Sequence, residues 1–250
     1  MQAVLYVSHG SRVKETSIEA MAFMELVHQK VGISLHETCF LELASPDIGE
    51  GIDSLIEQGA TEIAVVPVLL LSAGHYYEDI PDEVKKSALR YPDIRFTYGK
   101  PLGVQDRIVD ILAERLEETA VERLPDAKIL LVGRGGKSSE ITRSIEEIAA
   151  KLAVKTNVPK VDVCYLAASF PSFDEGLQAS INSGSKQIFV IPYLWFTGLL
   201  MKSMQKKVSS LSSDEQQIIL CQYLGAHPTM VDALAERANE ALQSEQQPAW

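Results

Sequence analysis

The sequence predicts an α/β protein of two tandem, doubly wound domains, each a small parallel sheet of about four strands flanked by helices. Three observations point there. Short runs rich in β-branched residues alternate with longer amphipathic stretches, which is the pattern of βαβ units. The chain also repeats itself at one offset. Val4–Ser11 (VLYVSHGS) falls opposite Ile129–Gly136 (ILLVGRGG), Cys39-Phe-Leu opposite Cys164-Tyr-Leu, and Val65-Val-Pro67 opposite Val190-Ile-Pro192. Gly59 and Gly184 hold the same place in the two copies, where a helix C-cap is expected. Two unrelated amphipathic patterns would not keep one offset over such a length, so the repeat is a duplication.

In the first copy the strands read as Ala3–Ser8, Glu37–Glu42, Glu62–Pro67 and Ile94–Tyr98. Between and after them the helical periodicity covers Lys14–Val31, Ile48–Gln58, Ile80–Arg90 and Val104–Thr119, and Gly32 stops the first helix. The second copy has strands near Lys128–Gly133, Asp162–Leu166, Gln187–Pro192 and Gln217–Gln222. The charged stretch Glu117–Asp126 reads as the linker, giving domains at 1–120 and 126–250. Right-handed crossovers are expected, and if the strand order is 2-1-3-4 the ends of strands 1, 2 and 3 are adjacent. The two copies are expected to pack about a pseudo-two-fold axis with a cleft between them.

Composition sets the broad class. A hydrophobic share of 46% and a charged share of 23% supply a real core without disulfide staples. The opening MQAVLYVSHGSR lacks the regions of a signal peptide and reads as a buried strand. The longest apolar run, Ala64–Leu71, is too short to span a bilayer. Cys39, Cys164 and Cys221 lie far apart, which argues against a zinc ribbon, an iron–sulfur cluster or a disulfide framework and for a reducing cytoplasm. A net charge of −11 disfavours nucleic acid and anionic membranes as partners. It leaves room for an anionic small molecule held by a local field.

Ligands of an open parallel sheet bind beyond the carboxyl ends of its strands. In the first copy His9, Glu42 and His75 fall there, after strands 1, 2 and 3, and adjacent strand ends let them converge. Two imidazoles and a carboxylate suit iron, cobalt, nickel or zinc and leave coordination positions open. Glu42 can balance charge or act as a base. Each residue alone also reads as an ordinary hydrogen-bonded or solvated loop residue. In the second copy, however, Arg134, Ala167 and Leu200 replace all three while the fold-forming positions persist. One site lost in one copy explains that better than three separate coincidences. The loops Ser8–Arg12 and Gly133–Ser139 precede helices and favour anions. The latter is no Walker motif, because Leu131 stands where that pattern needs glycine. Tyr76, Tyr77, Trp195 and Phe196 read as core, lid or a stacking surface for a flat ligand.

Ser8-His9-Gly10-Ser11-Arg12, Phe40-Leu-Glu42, and Val66 through His75 followed by Asp79-Ile-Pro81 resemble the class II chelatases, in particular the sirohydrochlorin ferrochelatase/cobaltochelatase group in its long, duplicated form. The resemblance covers essentially the whole chain. It implies insertion of a divalent metal into sirohydrochlorin without ATP or a redox cofactor. His9 and His75 carry over as metal ligands and proton acceptors, with Glu42 as base or ligand. Ser8, Gly10, Ser11, Arg12, Arg134 and Lys137 are assigned to the substrate carboxylates. No His-rich or cysteine-cluster tail is present, which leans toward the siroheme iron enzyme, with Co²⁺ or Ni²⁺ as alternatives. The implied protein is a cytoplasmic monomer with an internal pseudo-dimer. Its partners are sirohydrochlorin and the metal, and it needs no other cofactor, nucleic acid or membrane. A cobaltochelatase of cobalamin synthesis, a metal store or metallochaperone, and a tetrapyrrole carrier are the competing readings.

Overall fold

The computed structural model describes residues 1–211 and 215–245. The first repeat runs β1 (Gln2–Ser8), α1 (Lys14–Val31), β2 (Leu35–Phe40), α2 (Ile48–Glu57), β3 (Glu62–Pro67), α3 (Ile80–Arg90), β4 (Arg95–Tyr98) and α4 (Asp106–Glu117). The second runs β5 (Lys128–Gly133), α5 (Ser139–Lys155), β6 (Asp162–Tyr165), α6 (Phe173–Asn182), β7 (Gln187–Tyr193), α7 (Leu199–Leu211), β8 (Gln217–Leu220) and α8 (Pro228–Gln243). One π-helical turn, His75–Asp79, leads into α3.

The strands form two four-stranded sheets, ordered β2-β1-β3-β4 and β6-β5-β7-β8, and every pairing is parallel. The supposed strand order therefore holds in both copies. Because β1 lies between β2 and β3, the chain steps from β1 to β2 on one side and then crosses back over β1 to β3 on the other. The carboxyl ends of β1 and β3 thus flank the switch point where doubly wound sheets open a crevice.

Strand alternation divides each core into two faces. In the first sheet Ala3, Leu5, Val7, Ile63, Val65 and Phe96 pack against Ile48, Ile52 and Leu55 of α2 and Ile80 and Val84 of α3. Gly51 makes that approach possible, since a Cβ there would lie 2.9 Å from a Leu5 methyl and 3.0 Å from Cys39. In the second sheet Leu130, Val132, Ile188 and Val190 pack against Phe173 and Leu177 of α6 and Met204 and Val208 of α7. Both α2 and α6 begin with a capping box, Asp47 with Glu50 and Ser172 with Glu175.

The compact units are divided differently from the expected 1–120 and 126–250. One unit is 1–103 together with the chain from Met230 onward, and the other is Val104–Thr229. Residues 246–250 of the expected second domain lie outside the described residues. The two repeats have therefore exchanged their last helices. Helix α4 packs on β7 and α5, where Lys151 and Lys155 pair with Asp106 and Asp110. The expected linker is part of the second unit: buried Gln187 accepts from the Leu124 amide and donates to the Glu122 carbonyl.

Helix α8 completes the first unit. The last carbonyls of a helix have no partner within it, and here β1 and β4 supply the donors. Thr97 Oγ1 donates to the Ala241 carbonyl at 2.7 Å, Arg95 Nη2 to Ser244 at 2.9 Å and Gln2 Nε2 to Leu242 at 3.4 Å. Arg95 also brings positive charge to the negative end of the helix dipole. Thr97 points away from the Phe96 face, so α8 covers the same side of the sheet as α1, to which Lys30 and Asp232 tie it. Thr97→Val keeps the shape and removes the buried donor. Chemical denaturation should show a loss of about 1 kcal/mol.

On the α1 side His28 lies against Tyr6 and, tilted by 40°, against His36, with the two imidazole centroids 3.7 Å apart. Burial, and then the charge of His36, lower the His28 pKa from 6.5 to about 4, with Glu25 opposing. The fold therefore favours the neutral ring, and its contribution is complete above the unfolded value. Stability should fall as pH drops from 6.5 toward about 4. A His28→Gln variant should lose less stability across that window in paired denaturation curves.

Candidate metal centre

Backbone contact sets the first two residues of the site. Gly10, just past β1, has φ +92°, and a Cβ there would stand 1.8 Å from the Glu42 carbonyl oxygen. Only glycine lets the two chains come this close. The β1–β2 ladder runs on beyond the strands, with Leu41 N donating to Ser8 O and Glu42 N to His9 O. Glu42 was expected at a strand end and instead lies two residues beyond β2. The chain bends there: Leu43 takes φ 67° and the Phe40 amide bonds to the Pro46 carbonyl. The result brings His9 Nε2 within 3.3 Å of Glu42 Oε1.

The third residue comes from beyond β3. Leu69 and Leu70 accept from the Leu102 and Gly103 amides, which brace the loop that reaches Gly74. The π-turn closes when Ile80 N donates to His75 O. Tyr98 of β4 pins it, donating to the Tyr76 carbonyl at 2.8 Å while the two rings stack with centroids 5.0 Å apart. His75 thereby meets His9 edge-on, with ring centroids 5.0 Å apart. Its Nδ1 lies 2.7 Å from Asp79 Oδ2.

One ligand atom from each of His9, Glu42 and His75 lies within 4.8 Å of the other two. Donors bind a first-row dication at about 2.0–2.2 Å, so two opposed donors stand at most about 4.4 Å apart. Side-chain adjustments of a few tenths of an ångström suffice to close the triad on one ion. The side chains of His9, Glu42 and His75 are 29%, 50% and 32% exposed, so a large reactant can reach them. A groove of about 520 Å³ opens beside Glu42 and His75. Its wall carries Asp79, Asp82 and Glu83 against Lys85 and Lys86, acidic on balance.

The other expected site residues fall elsewhere. Ser11 Oγ accepts from the Val13 amide and so shapes the turn into α1. Arg12 is exposed on that turn, and Arg134 and Lys137 are exposed on the loop after β5 in the second unit. Trp195 is buried and stacks on Phe196, which makes it core, while Tyr77 is 55% exposed. Asp79 and Tyr98 were not singled out as site residues. For Asp79 the signal was present, since an acid four residues after a histidine on a helical turn shares its face.

The second unit repeats the scaffold without the donors. Gly135 has φ +82°, with a Cβ position 1.9 Å from the Ala167 carbonyl oxygen, and Ala167 N donates to Arg134 O at 2.9 Å. Arg134 and Ala167 thus hold the backbone places of His9 and Glu42. Leu200 packs against the second core.

A duplicated, parallel α/β protein with a His–Glu–His triad at the carboxyl rim of its first sheet is the class that fold and site define. The chain belongs to the CbiX family, whose model matches residues 3–119 and again 128–241. It is 48% identical over 244 residues to the sirohydrochlorin ferrochelatase of Priestia megaterium, covering 98% of this chain and 92% of that one. With the sirohydrochlorin cobaltochelatase of the same organism it shares 34% over 251 residues, covering 98% and 81%. The structure of SirB from Bacillus subtilis with Fe3+ superposes with a TM-score of 0.87 at 37% identity, covering 97% and 96%.

The repeated glycine contact yields a paired test. Gly10→Ala and Gly135→Ala should destabilise the protein to a similar degree, each by more than the roughly 1 kcal/mol that positive φ alone costs. Only Gly10→Ala should weaken Co²⁺ binding in a calorimetric titration. Equal loss of Co²⁺ affinity in both variants would contradict a site confined to the first unit.

Proposed function

We propose that this chain is a chelatase that inserts Fe²⁺ into sirohydrochlorin to give siroheme, without ATP. The His9–Glu42–His75 triad carries the reading: three donors converge on one point while remaining half open to solvent. Near-full-length similarity to a sirohydrochlorin ferrochelatase supports the substrate class. Iron is favoured over cobalt because identity and coverage are both higher for the ferrochelatase relative.

The chemistry asks for two things, a held dication and acceptors for two pyrrole protons. His9 Nε2 and Glu42 Oε1 stand 3.3 Å apart, close enough to share one dication. The macrocycle then delivers two protons as the metal enters it, and imidazole and carboxylate stand within reach as acceptors. Holding the metal at the rim supplies proximity, so the step needs no nucleotide or redox cofactor. Arg12, Arg134 and Lys137 are exposed cations suited to the substrate carboxylates. No helix among the described residues is long and apolar enough to cross a membrane. Three buried free thiols fit a reducing cytoplasm, where the chain acts as a monomer whose halves stand in for two subunits.

Anaerobic mixing of the protein with sirohydrochlorin and Fe²⁺, followed by absorption spectroscopy, tests the reading. Wild type should accelerate metallation well above the spontaneous rate. Glu42→Gln should lower kcat by about 10²-fold, the lower end for loss of an acid–base group, and His75→Ala should lower it at least as much. Metal binding without turnover would favour a store or carrier, and faster turnover with Co²⁺ than with Fe²⁺ would favour a cobaltochelatase.

A further inference from the structure

Asp79 stands at the N-terminus of α3, where an acidic side chain ordinarily caps the helix, yet it makes no capping bond. Its carboxylate turns back across the π-turn and meets His75 Nδ1 at 2.7 Å. A carboxylate cannot donate, so the proton lies on Nδ1 and the Nε2 lone pair is free of it. The π-turn serves this pairing, because its wider turn brings residues i and i+4 closer to eclipse than an α-helix does. Such turns recur at functional sites.

The second unit supplies an independent comparison. Where the first repeat has His75 and Asp79, the second has Leu200 and Met204, both given to the apolar core. There the chain enters α7 by an ordinary helical bond, Lys202 N to Gly198 O, and has no π-turn. Ligand, carboxylate and unusual backbone are present together or absent together.

We infer that Asp79 is a positioning residue that locks His75 in the Nδ1–H tautomer and aims Nε2 at the incoming dication. The inference rests on the reading of His75 as a metal ligand. Without Asp79 the ring is free to rotate and to carry its proton on Nε2, the form an isolated imidazole prefers, and that proton must leave before metal can bind. Outer partners of ligating histidines generally matter in this way, and their removal costs about 10–100-fold in metal affinity.

The test combines ¹⁵N NMR of the histidine rings in metal-free protein with Co²⁺ titrations of wild type, Asp79→Ala, Asp82→Ala and His75→Ala. Asp82 lines the same groove with the same charge and separates a field effect from a tautomer effect. Wild type and Asp82→Ala should show His75 protonated on Nδ1. Asp79→Ala should shift it toward Nε2–H and weaken Co²⁺ binding by about 10–100-fold, against less than about threefold for Asp82→Ala. An Nε2–H tautomer in wild type, or equal Co²⁺ losses in Asp79→Ala and Asp82→Ala, would overturn the inference. Wild-type affinity in Asp79→Ala beside a large loss in His75→Ala would overturn it too, leaving the ligand reading intact. Unchanged Co²⁺ binding in His75→Ala would overturn both.

Discussion

The contact on which the site depends is between two stretches of backbone. Gly10 lies so close to the Glu42 carbonyl that any side chain at position 10 would occupy the space of that oxygen. The same contact draws the loops after β1 and β2 together and seats the Glu42 amide on His9. Leu43 accepts an unfavourable positive φ as part of this bend. Side chains then have little left to decide, because His9 and Glu42 leave a common backbone clamp already facing each other. His75 arrives from a separate loop and needs its own brace, which β4 provides through Tyr98 and the π-turn provides through Asp79.

Comparison of the two units shows that the clamp and the chemistry are separable. Gly135 and Ala167 repeat the clamp almost atom for atom, and Ala168 repeats the positive φ. What differs is the side-chain set, in which Arg134, Ala167 and Leu200 offer no lone pair suited to a first-row dication. The scaffold is thus a property of the fold, and the donor set is a property of three substitutable positions. An arginine in the place of His9 also puts a permanent positive charge where the first unit has an imidazole.

Much of this was legible in the residues. Parallel sheets and the asymmetric triad follow from periodicity, the constant offset and the rule that sites lie at strand ends, whereas the strand order is a supposition that the structure bears out. What escaped did so for physical reasons. Amphipathicity shows that α4 and α8 each bury a stripe, but both sheets are apolar, so it cannot say which sheet takes which helix. The decisive contacts, Thr97 with Ala241 and Gln187 with Leu124, join residues distant along the chain. Glu42 reads as a strand residue because the run before it is strand-like, whereas the turn at Leu43 is imposed by packing. Asp79 reads as a helix-start acid, and only the backbone geometry reveals that it serves a histidine.

The exchange of terminal helices bears on how the protein is made. The sheet carrying the triad spans β1 to β4, but α8, which completes its unit, is synthesised only after β5 to β8 of the second unit. Until it emerges, the Thr97 hydroxyl, the Arg95 guanidinium and the small-residue surface at Gly99 lack the α8 partners they have in the folded chain. The second unit, closed by a helix that precedes it in the chain, can consolidate first. Domains usually mature in the order of synthesis; here the unit that starts at the amino terminus is completed after the one that follows it.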